Sequence, residues 1–320
     1  MDKKVNLLIT GGAGFIGSNL VEYFLEDDRV GLVRVLDNLS NGYIENIQEF
    51  FNHPGFEFIE GDIRDYETCL KACEGINKIS HQAALGSVPR SIVNPMQSTE
   101  VNILGTINLM HAALVQKVER IILACSSSTY GDYPGLPKLE ENIGNPLSPY
   151  AVTKAAIEQF AEVFGNTYGM KWIGLRYFNV YGPKQNPDNP YAAVIPIFSK
   201  AILENSKIFI NGDGETSRDF TFIENIVLLN ELSLFTTNND ALNNIYNAAC
   251  GRQVSLNKLV KTLTELTGNK PILEYREERL GDVKHSLASI AKARDLLGYT
   301  PKVHFEEGLI RSLNWYKNNL

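Results

Sequence analysis

Tyr150 and Lys154 stand four residues apart, and Ser126 precedes them in a Ser126-Ser127-Ser128 run. A phenol, an ammonium and a hydroxyl held together can take the proton from a substrate alcohol while hydride leaves the same carbon. On a helix the i,i+4 spacing projects Tyr150 and Lys154 from one face. A free tyrosine titrates near 10, so base work near neutrality requires a fall of roughly 3 units, about 4 kcal/mol. A lysine cation supplies part of that, and a positively charged nicotinamide ring more. Tyr-x-x-x-Lys alone is common on solvated helices. It acquires meaning only if the rest of the chain builds a nicotinamide site.

The first residues supply one. Val5–Thr10 reads as a strand, Gly11-Gly12-Ala13-Gly14-Phe15-Ile16-Gly17 as a glycine-rich turn, and Ser18–Leu25 as a helix. Glycines between strand and helix let backbone N–H groups approach a pyrophosphate at the positive helix end. The spacing is Gly-x-x-Gly-x-x-Gly rather than Gly-x-Gly-x-x-Gly. A second strand, Val33–Leu36, ends at Asp37. A carboxylate there can accept both adenosine ribose hydroxyls and repels a 2′-phosphate. Asn38 follows it, not an arginine, which favours NAD over NADP. A third strand is expected over Phe56–Ile63, with Asp62 and Ile63 placed to meet the adenine. Lys78–Ala84 continues the sheet, and its Gln82-Ala83-Ala84 end lets a cofactor lie close. Arg120–Cys125 leads into Ser126, and Trp172–Tyr177 into Phe178-Asn179. In a doubly wound parallel sheet, ligands bind at such strand ends. His81 reads as a packed histidine, and no Gly-x-Ser-x-Gly elbow appears.

The 320 residues suit one large domain with a lobe, and 44% hydrophobic with 21% charged residues is ordinary for a globular chain. A net charge of -7 disfavours nucleic acid or an anionic membrane as partner. The opening apolar run is too short for a signal peptide, and no stretch approaches a membrane span. Cys69, Cys73, Cys125 and Cys250 lack metal-ligand spacing, so reduced, packed thiols in a cytoplasmic protein without a metal are expected.

Taken together, Thr10–Gly17, Asp37-Asn38, Gly61-Asp62-Ile63, Ser126–Gly131, Ser148–Lys154, Arg176–Gly182, Asn211–Phe220 and Gly281-Asp282 resemble the extended short-chain dehydrogenase/reductase superfamily, in its nucleotide-sugar epimerase branch. Gln82–Ser91 is similar to the 4-epimerases of UDP-N-acetylglucosamine. The resemblance implies an α/β fold: a doubly wound Rossmann domain over 1–182, with a chain return around 220–250. A smaller C-terminal α/β lobe over 183–219 and 251–320 would close on a UDP-sugar. It also implies tightly bound NAD and a homodimer packed through helices near Ser98–Gln116 and Ala151–Tyr168.

The implied reaction is reversible inversion at C4 of UDP-GlcNAc and UDP-GalNAc, with UDP-Glc and UDP-Gal as further substrates. Tyr150 would be the base, Lys154 would hold the nicotinamide ribose, and Ser126 would bond O4. Gly11, Gly14, Phe15, Ile16 and Gly17 would join Tyr177 around the cofactor. Ser87, Ser127, Asn179 and Val194 would contact the sugar, Asn211 and Asp282 would lie near the uridine, and Arg218 and Arg279 would clamp phosphate. Ser286 falls at a gatekeeper position, where a small side chain admits a 2-acetamido group and a tyrosine would not. A related 4,6-dehydratase carries an Asp-Glu pair where this chain has Ser127-Ser128. A UDP-uronic acid 4-epimerase, a nucleotide-sugar reductase and a non-catalytic NAD-binding regulator remain the alternatives.

Overall fold

The computed structural model describes residues 4–277 and 284–320. Apolar runs of the N-terminal half become β1 (Val5–Thr10), β2 (Val30–Asp37), β3 (Phe56–Glu60), β4 (Lys78–His81), β5 (Arg120–Ser126) and β6 (Trp172–Tyr177). Four strands follow: the two-residue β7 (Val180–Tyr181), β9 (Ser217–Arg218) and β10 (Thr221–Phe222), and the longer β8 (Lys207–Asn211). The chain then forms β11 (Asn244–Ala248), β12 (Val254–Ser255) and β13 (Ile272–Arg276). The main sheet runs β11-β6-β5-β4-β1-β2-β3 and is parallel at every pairing. It is the doubly wound Rossmann sheet that the strand–helix alternation leads one to expect.

Both sheet faces are buried because side chains alternate along each strand. Leu7 and Ile9 enter one core with Leu20 and Phe24 of the helix Phe15–Leu25 and Leu229 of the helix Ile223–Phe235. Leu8 enters the other, with Cys69 of Tyr66–Cys73, Leu109 of Gly105–Val115 and Ile157 of Pro149–Tyr168. Each such side chain contributes about 1.5–3 kcal/mol on burial. β1 has β4 on one side and β2 on the other, so strand order reverses there and leaves a crevice at the carboxyl ends.

Two expectations need correction. β3 stops at Glu60, and Asp62 lies in the turn beyond, bonded to the backbone and guanidinium of Arg64. The helix expected from Ser98 to Gln116 is not continuous. A short helix Pro95–Thr99 gives way to π-helical Glu100–Leu104 before the α-helix Gly105–Val115. The wide turn directs Asn102 inward, where it accepts from Leu85 N at 2.8 Å and reaches Thr153 Oγ1 at 3.1 Å.

Past β7 the chain builds smaller pairings, apart from β11, which returns to the edge of the main sheet. β7 pairs with β10, β9 with β12, and β8 with β13, beside the helices Val194–Leu203 and Leu256–Thr267. Among the described residues no helix is long and apolar enough to cross a membrane, and no His/Cys/Asp/Glu group could hold a metal ion. All four cysteines are free thiols. Burial pushes Cys69 and Cys73 up to about 12.

Candidate active site

A cavity of about 530 Å³ opens at the carboxyl ends of β1 to β6, floored by the glycine turn. Gly11 has φ +69, and a Cβ there would stand 2.7 Å from Ala83 N; at Gly17 it would stand 2.1 Å from Gly11 O. Only glycine lets this turn fold so tightly against β4 and itself. The helix Phe15–Leu25 starts at Gly14 with no side-chain cap. Its first-turn N–H groups are therefore available to an anion on the cavity side, where Gly14, Phe15, Ile16 and Gly17 all contribute. The cradle fits a dinucleotide diphosphate.

Two acids mark the far end. Asp37 Oδ2 accepts from Ala13 N at 2.9 Å and Oδ1 from Leu39 N at 2.8 Å, leaving lone pairs for two hydroxyls. Burial raises its pKa from the ordinary carboxylate value, against those backbone bonds. Asp62 accepts from Arg64, and also from Asn38 Nδ2 at 2.8 Å. The Arg64 bond holds its carboxyl down at about 2. Ile63, Gln82, Ala83 and Ala84 also line the cavity, as does Tyr177, whose hydroxyl lies 3.1 Å from Gln82 Oε1.

At the opposite end stand Ser126, Ser127, Tyr150 and Lys154. The helix Pro149–Tyr168 begins with a capping Ser148, whose side chain accepts from Ala151 N, and a proline in its first turn. Both devices fix where the helix starts, and hence where Tyr150 and Lys154 face. The Tyr150 N–H donates to Ser91 Oγ at 3.0 Å. Lys154 Nζ donates to Ala124 O at 2.6 Å and lies 5.9 Å from the centre of the Tyr150 ring. Ser126 ends β5, and its Oγ receives Ser128 N and Ser128 Oγ at 3.2 and 2.9 Å. Ser128 N donates to it, and a hydroxyl rotor that can turn toward the cavity makes Ser126 able to donate there. A base, a fixed cation and a hydroxyl donor thus face one space.

Sequence reasoning missed the groups that hold this end in place. Glu158 lies one turn beyond Lys154 and accepts from Arg176 Nε and Nη2 at 2.9 and 2.8 Å. It also reaches Thr129 Oγ1 at 3.4 Å, tying the Tyr150 helix to β6 and to the turn after Ser126. The i,i+4,i+8 series Tyr150, Lys154, Glu158 is the signal that could have revealed it. Asn102 left no such trace, because its inward aim comes from the π-helical turn. His81 is packed as expected, bonded to Thr10 Oγ1 at 2.6 Å and Thr106 Oγ1 at 2.9 Å. Thr106 donates its proton to Asn102 O, so His81 Nε2 must be the donor to Thr106 and Nδ1 the acceptor from Thr10. Burial, then the Lys154 charge, drives its pKa down to about 3.

The remaining expected residues lie differently. Asn179 lines the cavity. Ser87, Val194, Asn211, Arg218 and Ser286 do not line it. Ser87 caps the helix Val88–Val93 by accepting from Arg90 N. Val194 opens the helix Val194–Leu203, and Asn211 closes β8. Arg218 donates to Ser217 O at 2.9 Å, while Ser286 N donates to the same carbonyl at 3.1 Å. Arg279 and Asp282 lie outside the described residues.

The profile of the family described as GDP-mannose 4,6 dehydratase matches residues 8–312. A putative UDP-glucose 4-epimerase of Methanocaldococcus jannaschii is 35% identical over 315 residues, covering 98% of this chain and 99% of the relative. The structure of a UDP-N-acetylglucosamine 4-epimerase from Methanobrevibacter ruminantium, in complex with UDP-N-acetylmuramic acid, superimposes with a TM-score of 0.93 at 36% identity. That match covers 99% of this chain and 100% of the other. The Thermus thermophilus UDP-glucose 4-epimerase, in complex with NAD, gives a TM-score of 0.88 at 34% identity over 98% of this chain and 100% of that one.

Proposed function

Since this chain belongs to the GDP-mannose 4,6 dehydratase family, among its nucleotide-sugar epimerases of the extended short-chain dehydrogenase/reductase type, we propose that it interconverts UDP-GlcNAc and UDP-GalNAc. At the coarser level it is an NAD-dependent UDP-sugar 4-epimerase. Bound in the cradle, the dinucleotide supplies reversible hydride acceptance at C4. Everything else falls to the chain's own side chains.

In this reading Tyr150, as phenolate, removes the O4 proton, and Ser126 donates a hydrogen bond to O4 while the carbonyl forms. Lys154 stabilises the phenolate and orients the nicotinamide ribose. The 4-keto sugar then turns over in the cavity, and Tyr150 returns the proton to the other epimer. The observation that carries the assignment is Tyr150 and Ser126 sharing a cavity with the glycine cradle, with Ser127 and Ser128 following. Elimination of water would need a carboxylic acid–base pair near the reacting carbons. Among the described residues the acids that line the cavity are Asp37 and Asp62, both at the adenosine end.

The acetamido preference rests on the serine at position 286 and on the UDP-N-acetylglucosamine 4-epimerase relative. Arg218 and Asn211, with Arg279 and Asp282, would join the uridine diphosphate when the segments 183–219 and 251–320 close on it. The chain would act as a homodimer: Val152, Phe160, Val163 and Tyr168 expose apolar surface along one helix, beside Leu104 and Val115. Sedimentation at micromolar concentration tests that assembly. Free thiols suit a reducing, cytoplasmic setting.

The deciding experiment incubates the purified chain with UDP-GlcNAc and no added reductant. Proton NMR should show UDP-GalNAc through the H3–H4 coupling. Turnover of UDP-Glc or a UDP-uronic acid alone would refute the acetamido assignment, and stoichiometric NADH consumption in a parallel incubation with added NADH would mark a reductase.

A further inference from the structure

The glycine cradle offers a dinucleotide diphosphate backbone N–H groups, and a guanidinium beside it would add charge-assisted bonds to the same oxygens. Among the described residues two cations line the cavity, Lys154 and Arg90. Lys154 sits at the reacting end, on Ala124 O and beside the Tyr150 ring. Arg90 is elsewhere. It projects from the helix Val88–Val93, which follows β4, and Arg90 Nη2 donates to Asn41 Oδ1, beyond β2, at 2.9 Å. In the sheet β1 lies between β4 and β2, and the glycine cradle follows β1. The Arg90–Asn41 bond therefore spans the crevice at the strand-order reversal, the place where a dinucleotide's diphosphate crosses such a sheet.

Its surroundings favour an anion. Among the described residues no carboxylate lies within ion-pair distance of Arg90, and its guanidinium stacks on the Tyr191 ring, 4.9 Å from the centroid. Tyr191 belongs to the segment after β7, held by Tyr191 N donating to Asn189 Oδ1 at 2.9 Å. With one Nη engaged by Asn41 and one plane covered by Tyr191, the fork keeps Nε and Nη1 for phosphate oxygens. We propose that Arg90 is the clasp that retains the dinucleotide diphosphate, positioned across the crevice by Asn41 and Tyr191. The inference rests on the NAD-dependent reading above and extends it to Arg90, a residue of the Gln82–Ser91 segment to which the resemblance gave no part in holding the cofactor.

The test reads cofactor retention, not turnover. Wild type, Arg90→Gln, Arg90→Lys and Tyr191→Leu are purified as full chains and their NAD content is counted after denaturation. NAD release from reloaded protein is then followed by fluorescence, and UDP affinity by calorimetry. Arg90→Gln should release NAD roughly tenfold faster or more, Arg90→Lys less, because charge remains without the fork, and Tyr191→Leu about threefold. UDP affinity should hold in all three. Wild-type release rates in folded Arg90→Gln overturn the clasp, as does a loss confined to UDP affinity, which would move Arg90 to the substrate's diphosphate. If Arg90→Gln does not fold, unchanged release in both Arg90→Lys and Tyr191→Leu overturns it equally. A wrong sugar assignment would appear instead as missing product from NAD-loaded wild type.

Discussion

The strand-end wall of the large sheet and the segments past β7 position their polar groups by different means. Along the wall, backbone register does the work. Thr10 pairs with His81 across β1 and β4, and Ser126 with Tyr177 across β5 and β6, so residues from distant motifs arrive at one level. Past β7, the β7–β10 and β9–β12 pairings span two residues each, and one buried carboxylate ties the turn after β9 to later chain. Asp219 accepts from Cys250 N at 2.9 Å, Gly251 N at 3.0 Å and Ala288 N at 3.2 Å, joining β9 to two later segments. A wall fixed by many backbone bonds should tolerate the loss of a side chain. A junction tied by one carboxylate should not.

Tyr150→Phe tests the wall at its chemical end. It removes the hydroxyl and keeps the ring on its helix, so turnover should fall by about 10⁴-fold, the upper range for a lost acid–base group. NAD content and melting temperature should stay at wild-type values. Retained turnover by NMR would remove Tyr150 from the mechanism.

His81 measures what the wall costs in acid. Its pKa is about 3 in the fold, against about 6.5 unfolded. Between those values the unfolded chain binds a proton that the fold refuses, so stability falls as pH drops through that window. The loss approaches roughly 4–5 kcal/mol near pH 3. Urea titrations at pH 7, 6, 5 and 4 should trace it, and His81→Asn should flatten the slope.

Asp219 has the opposite sign. Burial raises it to about 6, so the fold holds a proton there that the unfolded chain has lost. Its proton-linked contribution is present below about pH 4 and gone above about pH 6, which partly offsets the His81 limb, while the carboxylate's bonds to the three backbone N–H groups remain at neutral pH. Asp219→Asn turns N–H donors toward the N–H groups of Cys250, Gly251 and Ala288, and should cost about 3 kcal/mol at neutral pH. A loss well under 1 kcal/mol in the same urea assay would show that the region past β7 does not depend on this carboxylate.

The same contrast governs what could be read from the chain. Gly11, Asp37 and Tyr150 were legible because each sits at a fixed offset from a strand or helix that its own neighbours specify. Ser126 joined them once β5 was placed. Asn102 and Arg90 were not, since the aim of one depends on a π-helical turn and that of the other on Asn41 and Tyr191, distant in sequence. The third strand reads past Glu60 because the β-branched Ile63 follows, whereas Gly61 and Asp62 break it and the Asp62 bonds to Arg64 form a turn. Asn211, Arg218 and Ser286 carried motif signals, yet their contacts to neighbouring backbone are properties of folded segments.

Ser286 gives the mildest and most specific test of the second region. Its N–H donates to Ser217 O, which places its backbone beside β9. Ser286→Tyr keeps that backbone bond and adds a large ring where a small hydroxyl stood. If this side of the cleft bounds the sugar, kcat/KM for UDP-GlcNAc should drop by roughly tenfold to a hundredfold. UDP-Glc, lacking the acetamido group, should be turned over within about threefold of the wild-type rate. Equal losses on both sugars would mean that the ring disturbs the segment and not the pocket. No loss on either would place the boundary of the sugar site on the strand-end wall, with Ser126, Ser127 and Asn179.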